Sequence, residues 1–304
     1  MNINKTQFEI LVYIEREGGR KLSQREIAEK TGLSLGTVNK TLAELASLGL
    51  VGADLRKETQ LTRAGLEALE PYRVKRAVVL AAGFGSRMVP ITLNTPKPLV
   101  RVNGTRMIDT LLDAVVAAGI QEIYIVRGYL AEQFDQLLFK YPMIKFIENP
   151  AYNEAKNIAS LMCARYLLQN AYVLEADLVL HNPGLITKYQ YCSNYLGVPV
   201  SKTEDWCFHM KNGYIARVGI GGENCMHMFG ISYWTAADGA RLAEHLKAVF
   251  DMPGGKEREW DLVPLEYFIN EYKVEVRECT FQDICEIDTF RELKAIDPTY
   301  DVKA

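Results

Sequence analysis

The sequence has 304 residues, 48% of them hydrophobic and 24% charged, with a formal net charge of −3. This composition makes an ordinary globular chain with enough apolar residues for two domains. It excludes a membrane-spanning protein, because no apolar run approaches the roughly 20 residues of a transmembrane helix, and Met1 to Lys5 lack an apolar signal core. A cytoplasmic location is expected. The six cysteines (Cys163, Cys192, Cys207, Cys225, Cys279 and Cys285) include no Cys-x-x-Cys pair, so reduced, mostly buried thiols are expected rather than a zinc site or a disulfide framework.

The first elements are helical. Phe8, Ile10, Leu11 and Ile14 recur with a helical period until Gly18-Gly19. Ser23 with Glu26 three residues later reads as a capping box, Gly32 turns the chain, and Ser34 caps a helix carrying Val38, Leu42 and Leu45. Two short strands, Leu48 to Ala53 and Arg56 to Thr62, would follow around a charged tip, with one more helix opening at Thr62. The pattern resembles the winged helix-turn-helix domains of bacterial transcriptional regulators, and residues 1–73 are assigned to such a domain. In that fold the second helix of the motif enters the major groove, which would place Ser34, Thr37, Asn39 and Lys40 against DNA, with Arg56 and Lys57 on the wing. Residues 1–75 hold 12 Lys and Arg against 10 Asp and Glu, a net of only +2, so weak DNA binding and a homodimer interface both stay open.

From Arg76 strands and helices alternate. Val78 to Ala81 is an apolar run that ends in Ala82-Gly83-Phe84-Gly85-Ser86-Arg87, a buried parallel strand delivering a tight loop at its carboxyl end. Open α/β sheets bind ligands there. Gly83 and Gly85 let phosphate oxygens reach backbone amides, a following helix would add its positive end, and Arg87 and Lys97 supply charge. Displacement at phosphorus needs negative charge held on oxygen, which this equipment suits. The loop lacks the third glycine of a dinucleotide fold and the Gly-Lys-Ser/Thr of a P-loop. Together with Thr95-Pro96-Lys97-Pro98 it resembles the signature of nucleotidyltransferases that activate sugars and alcohol phosphates.

Helices are expected over 108–118 and 132–138, strands over 122–126 and 145–148, and a helix opening at Asn157. Tyr172 to Asp177 is an apolar strand ending in a carboxylate, and Cys285-Glu286-Ile287-Asp288 places Glu286 and Asp288 on one strand face. A nucleoside triphosphate requires a hard divalent cation, and Mg²⁺ takes one or two protein carboxylates; Asp177 and Asp288 are the candidates.

Several blocks in order, including Gly128-Tyr129-Leu130, Glu175-Ala176-Asp177, Glu204-Asp205-Trp206, Glu259-Trp260-Asp261 and Cys285 to Asp288, resemble the bacterial phosphocholine cytidylyltransferases from about Arg76 to Leu293. The resemblance implies a Rossmann-like α/β nucleotidyltransferase with a mixed, mostly parallel sheet over residues 74–304. It also implies metal ligands Asp177 and Asp288, and catalysis by Lys97 and Arg87. The nucleotide would meet Leu80, Ala81, Ala82, Gly83, Gly85, Gly128, Tyr129, Asn157 and Ser160. The implied reaction is attack of phosphocholine on CTP, giving CDP-choline and pyrophosphate. A quaternary ammonium is held by aromatic faces and carboxylates, so Trp206, Trp260, Asp261 and Glu286 are the expected acceptor residues, while Trp234 reads as core. Glu259 departs from the family, which often has an aromatic residue there; a more acidic pocket would favour 2-aminoethylphosphonate or phosphoethanolamine. A sugar-1-phosphate acceptor and a ligand-sensing regulator without turnover are the remaining alternatives.

Overall fold

The structure, a computed structural model, describes residues 2–18, 20, 22–52 and 60–301. The chain divides into two compact units, Met1–Arg73 and Val74–Ala304.

In the first unit, α1 (Lys5–Arg16), α2 (Gln24–Thr31) and α3 (Leu35–Ser47) bury Ile10, Leu11, Ile14, Ile27, Val38, Leu42 and Leu45 together. Ser23 and Ser34 cap α2 and α3 by accepting the N–H of Glu26 and of Thr37. The reciprocal half of the capping box at Ser23 is not formed, because the Glu26 carboxylate is taken by Arg20 and accepts from the Tyr13 hydroxyl. Of the two expected strands, the described residues show an antiparallel bridge between Val51 and Leu61; residues 53–59, with Arg56 and Lys57, lie outside the described residues. Thr62 caps α4 (Arg63–Leu69). On α3 the predicted DNA-facing residues Ser34, Thr37, Asn39 and Lys40 are all exposed. Ser34 and Thr37 are engaged with one another, their hydroxyls 2.8 Å apart.

The second unit opens with β1 (Arg76–Ala81), a small hairpin of β2 (Arg101–Val102) and β3 (Thr105–Arg106), and α5 (Met107–Ala117). There follow β4 (Glu122–Arg127), β5 (Ile144–Glu148), α6 (Asn157–Ala164), β6 (Ala171–Glu175) and β7 (Leu178–Leu180). The long strands β8 (Asn194–Lys211) and β9 (Tyr214–Trp234) precede α7 (Ala236–Phe250), β10 (Glu275–Glu278), β11 (Ile284–Glu286) and α8 (Phe290–Ile296). The expected helix over 132–138 is a run of tighter 3₁₀ turns, Ala131–Phe139.

Seven strands form one mixed sheet in the order β10-β8-β9-β6-β1-β4-β5. β1 runs parallel to both β4 and β6, while β9 is antiparallel to β6 and β8. Alternation along β1 divides its side chains between the faces. Ala77 and Val79 pack with α5 residues such as Ile108, Leu111 and Val115, whereas Val78 and Leu80 pack with Ile158 and Leu161 of α6 and Leu242 and Leu246 of α7. The chain leaves β1 for β4 and β5 on one side and returns to β6 on the other. Their carboxyl ends therefore diverge around a crevice at a topological switch point, into which the loops after Ala81 and Glu175 both open.

Candidate active site

The loop after β1 is not followed by a helix. Short 3₁₀ turns at Ser86–Met88, Ile91–Leu93 and Lys97–Leu99 take its place. Pro90, Pro96 and Pro98 interrupt any helix there, having no N–H to donate. From this loop an anion would meet backbone amides and cations; the helix terminus at the crevice is that of α6, whose Lys156, Asn157 and Ser160 line it. Gly85 has φ +66°, and a Cβ on it would lie 3.0 Å from Lys97 Cβ and 3.2 Å from Thr92 Cγ2. The loop is thus folded directly onto the residue that supplies its charge.

Lys97 is 8% exposed. Its Nζ donates to Asp177 Oδ2 at 2.9 Å and to Asp288 Oδ1 at 2.7 Å, and Arg87 donates to the same Asp288 oxygen at 2.8 Å. Burial pulls the Lys97 pKa down, but the two carboxylates outweigh it and hold the ammonium above its ordinary value. Asp177 reaches this point from the end of β6, and Asp288 arrives because β11 pairs antiparallel with β7, with the Ile287 N–H donating to Asp177 O at 3.2 Å.

Glu286 joins them: ligand atoms of Asp177, Glu286 and Asp288 all lie within 4.8 Å of one another. Three converging carboxylates are the donor set that a hard divalent cation takes. Sequence reading placed Glu286 with the acceptor; it lines that cavity too, so it stands between the two roles. Its acid, desolvated in the crevice and facing Asp177 and Asp288, is pushed up to about 8.

Two cavities meet here. The first, about 290 Å³, is lined by Leu80, Ala81, Ala82, Gly83, Gly85, Asn157 and Ser160 of the predicted nucleotide set, together with Lys97, Arg87 and Asp177. Gly128 and Tyr129 do not line it. A Cβ on Gly128 would lie 2.6 Å from Tyr152 Cβ, so this glycine admits Tyr152, itself a wall of the cavity. Tyr129 braces the loop from behind: its N–H donates to Ala82 O at 3.1 Å, and its hydroxyl donates to Thr92 O at 2.9 Å. Both therefore support the site from outside it. Tyr152, Lys156 and Asn149, absent from the sequence reading of the site, complete the first cavity.

The second cavity, about 350 Å³, shares Arg87, Asn157, Glu175 and Asp177 with the first and extends to Asp205, Trp206, Met228, Glu259 and Asp261. Of the expected acceptor residues, Trp206 and Asp261 line this cavity. Trp260 does not: it is 1% exposed, stacks on Tyr195 with centroids 6.1 Å apart, and meets Trp234 edge-on. It serves the site from the core, its Nε1 donating to Glu175 Oε1 at 3.1 Å and its backbone N–H to Asn157 Oδ1 at 2.8 Å. Its bulk makes core the better place for it, and its N–H satisfies an otherwise costly buried carboxylate. Glu175 is held well above the usual carboxylate range by burial and then by Asp261 and Asp177. Asp261, which accepts from the Tyr195 hydroxyl at 2.7 Å, is pushed up to about 7 by burial. Glu259 pairs with Lys156 at 2.7 Å, a link between the walls of the two cavities.

A glycine loop with Lys97 and Arg87 opening onto an acid-lined hollow suits transfer of a nucleotidyl group, and the relatives are nucleotidyltransferases. A 2-aminoethylphosphonate cytidylyltransferase of Lancefieldella rimae is 39% identical over 228 residues, 74% of this chain and 92% of that protein. The chain belongs to the cytidylyltransferase family. A choline-phosphate cytidylyltransferase of Haemophilus influenzae is 36% identical over 216 residues, covering 70% of this cytidylyltransferase and 91% of that one. Among solved structures, CTP:phosphocholine cytidylyltransferase from Streptococcus pneumoniae superposes with TM-score 0.69 at 30% identity, over 75% of this chain and 99% of that chain. The MobA-like NTP transferase domain matches residues 77–201, and the MarR family matches residues 1–57. The cytidylyltransferase thus carries an N-terminal MarR-family winged-helix domain. Among the described residues, no helix is long and apolar enough to cross a membrane.

Proposed function

We propose that the cytidylyltransferase moves CMP from CTP to 2-aminoethylphosphonate, releasing pyrophosphate. The observation that carries this is the lining of the second cavity, where Trp206 is the one aromatic side chain among the described residues, against the carboxylates of Glu175, Asp205, Glu259, Asp261 and Glu286. A trimethylammonium needs several aromatic faces because it cannot donate hydrogen bonds. A primary ammonium donates three and finds carboxylate acceptors here. With Trp260 in the core, the balance moves from phosphocholine, the first expectation from sequence, to the amine. The relative from Lancefieldella rimae, named for this acceptor, points the same way. Glu175 and Asp261, whose burial opposes ionisation, gain the most from an arriving cation.

In this reading the triphosphate lies in the first cavity against the amides of the Gly83–Gly85 loop, and the phosphonate enters from the second at the shared residues Arg87 and Asp177. Its oxygen, an anion at neutral pH, attacks the α-phosphorus in line. No general base and no covalent intermediate are required. Lys97 and Arg87 exchange their carboxylate partners for phosphate oxygens and offset the charge developing there. Mg²⁺, held by Asp177 and Asp288 with Glu286 in reach, would supply further charge neutralisation.

Pyrophosphate release with Mg²⁺ and CTP tests this. The acceptors offered separately are 2-aminoethylphosphonate, phosphoethanolamine, phosphocholine and glucose-1-phosphate. The expected order of kcat/KM has 2-aminoethylphosphonate first and glucose-1-phosphate silent. Phosphocholine in first place would overturn the reading.

For the N-terminal unit we propose DNA binding through the exposed face of α3, motivated by Asn39 and Lys40 beside the buried stripe of Val38, Leu42 and Leu45. Absence of retention in a gel shift on genomic fragments at low salt would leave it an association module.

A further inference from the structure

We propose that Cys207, Cys225 and His209 form a Cys₂His site for a thiophilic divalent cation of the zinc type, clipping the β8–β9 hairpin on the strand face opposite Trp206. In a strand, residues two apart share a face. Cys207 and His209 are so spaced on β8, as are Cys225 and His227 on β9, and the ladder sets Cys207 against His227 and Phe208 against Met226. Both Cys-x-His pairs therefore share one face of the hairpin.

Three of the four donors converge on one point. A Cβ added to Gly222 would lie 2.8 Å from Cys207 Sγ, 3.2 Å from Cys225 Sγ and 3.2 Å from His209 Nε2. Glycine leaves that space without a side chain. Zinc sits about 2.3 Å from sulfur and about 2.0 Å from nitrogen, so an ion would lie among the three donors on the far side of that point from Gly222 Cα. His227 stays outside the set: its Nδ1 is 3.1 Å from Thr203 Oγ1, and its ring packs against Phe229 and Phe281.

An independent observation points to a missing partner. His209 Nε2 is buried and has no hydrogen-bond partner among the described residues. Proteins rarely leave such an atom unsatisfied without an ion or water to complete it. Of the three donors, Cys225 borders a surface hollow with Met210, Asn224 and Met226. The clip would fix β8 at Cys207, whose neighbour Trp206 lines the acceptor cavity.

Titration of the reduced, metal-free full chain with Co²⁺ tests this. A thiolate-to-cobalt charge-transfer band saturating at one equivalent is expected, which the Asp177, Glu286 and Asp288 carboxylates cannot produce, and Zn²⁺ should bleach it. His209→Ala, judged folded by circular dichroism, should weaken Co²⁺ binding by roughly tenfold or more. The double variant Cys207→Ser, Cys225→Ser should lose the band. No band with the reduced protein, or a band unchanged in the double variant, overturns the site. A Cys207–Cys225 disulfide in protein isolated under thiol-trapping conditions would overturn it in favour of a redox pair.

Discussion

Lys97 and Asp288 are 191 positions apart in sequence, yet Nζ and Oδ1 stand 2.7 Å apart, with Asp177 on the other side of the same ammonium at 2.9 Å. One cation thus bridges both carboxylates, and would be freed for phosphate if a metal took its place.

Lys97→Ala is expected to lower kcat by roughly a hundredfold or more, the scale for loss of one transition-state donor. Steady-state pyrophosphate release at saturating CTP measures it. An unchanged rate would mean that Lys97 only balances Asp177 and Asp288.

A chelator should abolish turnover and added Mg²⁺ restore it. Asp288→Asn should raise the Mg²⁺ concentration at half-maximal rate by roughly tenfold or more, since the variant loses a charged ligand and the partner of Arg87 and Lys97. Turnover indifferent to chelation would remove the metal from the mechanism.

Trp260→Phe removes the N–H that satisfies Glu175 while keeping an aromatic core residue. A stability loss of about 0.5–1.5 kcal/mol is expected, because Asn157 Nδ2 still donates to the same Glu175 oxygen at 3.3 Å. Loss of acceptor preference with no change in the urea midpoint would instead put Trp260 in the cavity wall.

Asp261 carries the clearest pH dependence. Its ordinary pKa is about 3.9, and in the folded protein burial raises it to about 7. The native state therefore holds this proton more tightly than the unfolded chain. Its contribution is fully present below about pH 4 and is lost as pH rises towards 7, by up to about 1.4 kcal/mol per pH unit. Asp261→Asn should flatten urea midpoints measured between pH 4 and 8 and be the more stable protein at pH 8. Parallel profiles for the two proteins would exclude Asp261 as the source.

Gly128→Ala acts at a distance from the chemistry. Its methyl group would meet the Tyr152 side chain at 2.6–2.9 Å, tilting a wall of the first cavity. KM for CTP should rise several-fold with the acceptor KM little changed, a packing effect of about 1–3 kcal/mol. Equal rises in both would indicate general loss of structure.

What the sequence determined by itself was local. The run from Val78 to Arg87 specified a buried strand and a ligand loop, because apolar continuity and glycine punctuation act over a few residues. Ser23 and Ser34 marked helix starts through hydrogen bonds no more than three residues long, and Asp177 could be placed at the end of a strand. Across the chain, Asp288 was legible as a carboxylate on an alternating strand end, and the resemblance then pointed to the same residue. Tertiary structure decided the rest. Glu286 enters the carboxylate cluster because β11 pairs with β7, and Trp260 turns into the core because Tyr195, Trp234 and Glu175 surround it there. Cys207, His209 and Cys225 meet because β9 folds back on β8. A period-two or 3.6 pattern tells which residues share a face, but strand order and register decide which other face it meets.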